Sequence, residues 1–156
     1  MPIRVEMSQA PRTTRDPKPT LAAAVPFRLD EHGVVEVLLI TSRAGVWIVP
    51  KGGIEPQQTP EGAALAEAWE EAGVEGCIVG ERLGVWHTSR HGEPAVADIF
   101  PLLVERCAMR WPEDHRRNRR WVSLRQAVEV VESAEVRGAL TRLARRVRLM
   151  LHNRAA

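Results

Sequence analysis

The chain has 156 residues, 44% of them hydrophobic and 27% charged, which suits one globular domain with its own core and excludes a disordered or fibrous protein. Its formal charge of +2 is too small to point to nucleic acid as a partner, and no apolar run approaches the ~20 residues of a membrane span. Cys77 and Cys107 form no CxxC or Cys/His cluster, and no signal-peptide core is found near the N-terminus, so two reduced, buried thiols in a cytoplasmic protein are expected.

Residues 1–17, with Pro2, Pro11 and Pro17 among scattered charges, read as an extended arm ahead of a single domain over residues 18–153. Residues 20–29 and 34–41 predict two strands around the turn Asp30, Glu31, His32, Gly33. A third short strand over 46–49 is stopped by Pro50, and a loop carrying Gly52 and Gly53 follows. Thr59 can cap free backbone N–H groups and Pro60 is tolerated at the first helical position, so a helix starts there, runs to Ala72, and stops at Gly73. Residues 77–88 and 95–104 predict strands joined by the turn Ser89, Arg90, His91, Gly92, with Pro101 assigning the second to an edge or a bulge. Residues 111–118 form a polar loop before a last strand over 121–124, and Ser123 and Ser133 cap helices over 124–131 and 134–152. Strands, a mid-chain helix, strands and then helices predict a mixed sheet covered by helices on two faces.

Each helical residue turns by about 100°, so Glu67, Glu70 and Glu71 fall at roughly 0°, 300° and 40° on one side. Leu65, Ala68, Trp69 and Ala72, at roughly 160°, 100°, 200° and 140°, are the stripe expected to pack on the sheet, and Trp69 and Trp121 are expected in the core. Like charges at this spacing repel, and three hard oxygen donors together suit Mg²⁺ or Mn²⁺. An acidic stripe is ordinarily a solvated helix face. Here Lys51, Gly52 and Gly53 follow directly on a strand, so a backbone carbonyl can turn towards the same point while the glycines admit a phosphate chain.

Residues 50–74, PKGGIEPQQTPEGAALAEAWEEAGV, resemble the Nudix box, whose pattern is G, five residues, E, seven residues, then REUXEEXGU with U a bulky apolar residue. Gly52, Glu67, Glu70, Glu71, Gly73 and Val74 occupy matching places. The PFR, SRHG and WPEDHRRNRRWVSLRQA segments are similar to bacterial relatives of the diphosphoinositol and diadenosine polyphosphate phosphohydrolases, so the resemblance covers about residues 18–135. It implies an α/β Nudix fold, a mixed β-sheet sandwiched between α-helices. It also implies a metal-dependent hydrolase, using Mg²⁺ or Mn²⁺, that cleaves a pyrophosphate linkage in a nucleoside diphosphate derivative, a dinucleoside polyphosphate or an inositol pyrophosphate. The partner is then a small phosphate-chain molecule, with no membrane, and the chain is a monomer or a homodimer. Glu67, Glu71 and the Gly52 carbonyl become the implied metal ligands and Glu70 the general base, with Arg28, Lys51, Gly53, Arg90 and His91 on the substrate side. Lys18 and the cluster Arg116, Arg117, Arg119 and Arg120 are candidates for a basic rim.

Two positions depart from the pattern. Gln58 stands where the family has a glutamate, and Ala66 where it has an arginine that would hold the acidic cluster through paired hydrogen bonds. Loss of such support typically costs about 10- to 100-fold in metal affinity or activity, so a detuned site is expected. The alternative is a catalytically weakened Nudix-fold binding or regulatory protein for phosphorylated ligands, against which the intact Glu67, Glu70 and Glu71 weigh. An RNA 5′-end pyrophosphohydrolase would need a longer basic track than the chain offers.

Overall fold

A computed structural model describes residues 18–154, and the arm expected over residues 1–17 lies outside them. Chain order is β1 (Leu21–Leu29), β2 (Val35–Thr41), β3 (Trp47–Ile48), β4 (Lys51–Gly53), α1 (Pro60–Ala72), β5 (Val74–Ile78), β6 (Gly84–Arg90), β7 (Glu93–Cys107), β8 (Arg119–Ser123), α2 (Leu124–Val130) and α3 (Ala134–Arg154). The long strands β1 and β7 run parallel at the centre, with Ala22 opposite Asp98, and all other pairings are antiparallel. Each central strand shares its outer edge between two partners: β1 takes β4 at Leu21 to Ala23 and β2 at Phe27 to Leu29. β7 likewise takes β6 up to Ile99 and β5 from Leu102 onward.

Alternate residues of β1 divide the core in two. Ala22 and Ala24 face α1 together with Leu38, Ile40, Phe100 and Leu102, whereas Leu21, Ala23, Val25 and Phe27 face the other layer with Val136, Leu140 and Leu143 of α3. The expected sandwich of a mixed sheet between helices is therefore what forms.

Three local expectations are corrected. The run 77–88 is two strands, because Gly80 takes a left-handed φ of 84° and turns residues 79–83 away from the ladder. Pro101 sits in a central strand, where its carbonyl accepts from the Val79 N–H at the point where β5 hands over to β6, so the missing N–H falls in a gap between partners. The thiols of Cys77 and Cys107 are exposed, since β5 lies at the end of the sheet order and α3 covers β6 and β7.

Candidate functional site

The bounds of α1 are those its sequence specifies. Thr59 Oγ1 accepts from the Gly62 N–H at 3.0 Å, Pro60 opens the helix, and Gly73 closes it at φ 68°. Of the expected sheet-facing stripe, Ala68, Ala72 and Leu65 pack in the cluster beneath α1 together with Ala63 and Ala64, whereas Trp69 belongs to neither apolar cluster and Glu71 is buried. The reason is size. Ala22 and Ala24 of β1 share a cluster with Ala63, Ala64, Ala68 and Ala72, so small side chains meet across the contact, with Leu65 partly buried beside them and the indole left to the side. Trp121 is half-buried, with the Arg28 guanidinium 4.0 Å over its ring. Glu67 and Glu71 therefore face inward over β4, with Glu71 3% exposed.

Strand β4 shapes the floor of the cluster. A Cβ on Gly52 would overlap the Glu67 carboxyl, so that carboxyl lies directly on the glycine. Hydrogen-bonded pairs alternate along an antiparallel ladder, and Ala24 N–H to the Pro50 carbonyl and Ile54 N–H to the Thr20 carbonyl fix the phase. Gly52 consequently directs its own N–H and carbonyl at Ala22 of β1. Lys51, one residue out of phase, directs its main chain away from β1, and its N–H donates to Glu71 Oε1 at 3.1 Å. The main-chain oxygen facing the carboxylates is that of Lys51.

The other wall comes from the loop before β8. Its residues meet the unpaired carbonyls at the C-terminal end of α1: Glu113 N–H donates to Glu70 O, Trp111 Nε1 to Glu71 O at 3.1 Å, and Arg119 Nη1 to Ala72 O at 2.9 Å. This docking sets Arg117 Nη2 2.6 Å from Glu71 Oε2 and 3.4 Å from Glu113 Oε1. Glu113 and Arg117 were absent from the expected site. Arg117 and Arg119 also leave the expected basic rim, because both are tied inward.

Burial first, then the charges of Glu71 and Glu70, pushes the Glu67 carboxyl up to about 8, with a side-chain hydrogen bond between Glu67 and Glu71 adding to the rise. Burial pushes Glu71 up to about 7, against the opposing pull of Arg117 and the Lys51 N–H. Carboxyls that bind protons more tightly when folded contribute stability that is fully present below their ordinary 4.5 and is lost as pH rises through about 7 to 8. In metal-free buffer the thermal midpoint should fall between about pH 6 and pH 9, and Mg²⁺ should flatten the slope. A level or rising midpoint would contradict the raised pKa of these two carboxyls.

The remaining expected residues separate. A Cβ on Gly53 would overlap the Arg90 guanidinium, which lies across that glycine and lines a cleft of about 980 Å³ with Thr20, Gln58, Thr59 and Asp98. The Lys51 ammonium donates to Thr88 Oγ1 at 2.9 Å and stands 4.5 Å from the Trp86 ring, with its pKa lowered by burial against the raising effect of Glu71. Glu70 is exposed at the mouth. His91 is exposed at the tip of the β6–β7 turn with φ 52°. Arg28 lies at the opposite end of β1 from the β4 pairing, bonded to Glu36 at 3.2 Å, and does not join the cluster. Gln58 Oε1 accepts from the Glu55 N–H at 3.0 Å and closes the loop instead of facing the glutamates.

Comparison with known proteins gives a consistent picture. The NUDIX domain model matches residues 18–143. Nudix hydrolase 21, chloroplastic, from Arabidopsis thaliana is 40% identical over 126 residues, covering 77% of this chain and 63% of that protein. Nudix hydrolase 4 of the same plant is 43% identical, with 70% and 54% covered, so the chain spans between about half and two thirds of these two relatives. Diphosphoinositol polyphosphate phosphohydrolase 3-alpha of Mus musculus is 36% identical over 71% of this chain and 68% of its own length. Among solved structures, C. elegans Ap4A hydrolase superposes with a TM-score of 0.66 at 22% identity over 80% of this chain and 94% of that one, a likeness of fold.

Proposed function

The chain belongs to the Nudix family, and from that premise we propose that it hydrolyses a pyrophosphate linkage in a small molecule bearing a phosphate chain, using Mg²⁺ or Mn²⁺. The observation that carries this reading is the convergence of Glu67, lying directly on Gly52, and the buried Glu71, held by the Lys51 N–H and Arg117, on the glycine floor of β4. Two carboxyls held this close and partly out of water repel each other as anions, and a divalent cation between them relieves that cost. Among the described residues no three His, Cys, Asp or Glu side chains form a ready-made metal cage. Mg²⁺ keeps several waters and binds through one or two carboxylates plus substrate phosphates. Glu67, Glu71 and the Lys51 carbonyl are the groups that would hold it.

A bound divalent ion neutralises phosphate charge and makes water a better nucleophile. Glu70, exposed beside the pair, takes the proton of the attacking water, and Arg90, lying over Gly53, holds the phosphate chain in the cleft. Lys51 supplies a second cation towards Trp86. The diphosphoinositol polyphosphate phosphohydrolase relative favours an inositol pyrophosphate, and a dinucleoside polyphosphate is the other candidate of the same chemistry. No helix among the described residues is long and apolar enough to cross a membrane.

The test incubates the chain with Mg²⁺ or Mn²⁺ and a panel of inositol pyrophosphates, dinucleoside polyphosphates and nucleoside diphosphate derivatives. Turnover of at least one is expected, and Glu70→Gln should reduce it by about 10²- to 10⁴-fold. No turnover on any of them would leave the weakened binding protein as the better reading, and undiminished turnover by the variant would remove Glu70 from the chemistry.

A further inference from the structure

The carboxylate cluster has an orienting problem that α1 cannot solve. Glu71 is buried, so each of its oxygens needs a partner whose direction is fixed. The Lys51 N–H takes Oε1 and the Glu67 carboxyl lies beside it, but α1 carries no Lys, Arg or His, and Ala66 offers only a methyl, so no cation reaches the cluster from the helix. Arg117 reaches Oε2 from the loop before β8. Its base is itself held: Nη1 donates to the Thr41 carbonyl at 2.9 Å, its own N–H to the Glu113 carbonyl at 3.1 Å, and the next N–H, of Asn118, to Thr41 Oγ1 at 2.9 Å. The guanidinium therefore approaches from the end of β2 and bridges Glu71 and Glu113, and among the described residues no other guanidinium touches Glu71.

We propose that Arg117 is the positioning residue of this site, aiming Glu71 and Glu113 from outside the helix and thereby supplying the support that Ala66 cannot. The inference rests on the hydrolase reading above and deepens it. A planar fork fixed at three acceptors sets direction as well as charge, which a point charge cannot do.

The experiment titrates the full chain with Mn²⁺ alone, by calorimetry or electron paramagnetic resonance, and measures kcat and KM on whichever phosphate-chain compound the wild type turns over. Arg117→Ala should weaken Mn²⁺ binding by about 10- to 100-fold and lower kcat similarly, with KM changed less than about threefold. Adding Ala66→Arg to that variant should recover at least tenfold in Mn²⁺ affinity, a response that a scaffold role for Arg117 would not produce. Arg117→Lys, which keeps the charge, decides the matter if the alanine variants do not fold: several-fold weaker Mn²⁺ binding with a near wild-type melting midpoint is expected. Unchanged Mn²⁺ affinity in any folded variant at position 117, or no recovery by Ala66→Arg in a folded double variant, overturns the positioning role while leaving the hydrolase reading intact. A wild-type chain that neither binds Mn²⁺ nor turns over any substrate overturns both.

Discussion

Replacing Glu67 by Gln is expected to abolish turnover while making the metal-free protein more stable in alkaline buffer. With its pKa raised, the Glu67 carboxyl can donate a proton to Glu71, and a carboxamide of nearly the same shape donates in the same direction. Above about pH 8 the wild type must either keep that proton against solution or hold two anions together over Gly52. The amide faces no such choice, so the thermal midpoint of Glu67→Gln near pH 8.5 in EDTA should equal or exceed that of the wild type. With metal present the order reverses, because the variant has lost one of two anionic oxygens on which a hard cation depends. Turnover should fall by more than the ~100-fold seen when only a supporting group is lost. A variant within tenfold of wild-type activity, or one that melts lower in alkaline EDTA, would show that Glu67 is not the proton-sharing ligand argued for here.

What could be read from the sequence was what is local. Thr59, Pro60 and Gly73 act on their own neighbours, so both ends of α1 follow from three residues. The spacing of Glu67, Glu70 and Glu71 likewise places them side by side whatever else the chain does. That Glu71 is buried and Trp69 stays out of the core was not local. It depends on the small-residue contact between Ala22 and Ala24 of β1 and the alanines of α1, a fit between strands and a helix some 40 residues later.

Non-local pairing also hid Glu113 and Arg117. Trp111 hydrogen-bonds to Glu71 from 40 residues away, and nothing in the polar stretch 111–118 announces that it docks on a helix end. The usable signal was an imbalance. A carboxylate as buried as Glu71 requires a cation or a proton, and the arginine-rich segment around residues 116–120 supplies it through Arg117. The Gly52 carbonyl was named for want of a register. Once β4 is seen to pair with β1, alternation transfers the inward-facing oxygen to Lys51.

Two glycine-to-alanine substitutions should separate the site from the scaffold that carries it. Neither Gly52 nor Gly76 has a positive φ, so in both cases the cost is what the new methyl meets and not backbone strain. At Gly52 it meets the carboxyl end of Glu67, which is the mobile tip of a side chain and can swing aside. The fold then survives, with a melting midpoint within a few degrees of wild type, but Glu67 no longer lies over β4, and Mn²⁺ affinity and kcat should each drop by at least about tenfold. At Gly76 the methyl overlaps the carbonyl oxygen of Leu103 and comes within 3.1 Å of Val104 Cα, at the irregularity where β5 shifts register against β7. Backbone cannot move aside without opening that ladder, so Gly76→Ala should lose stability at or above the upper end of the ~1–3 kcal/mol typical of overpacking. Well below its melting midpoint its Mn²⁺ affinity should stay close to wild type, since Glu67, Glu71 and Arg117 are untouched. If Gly52→Ala instead binds Mn²⁺ normally, the carboxyl lying on that glycine is not where the cation is held.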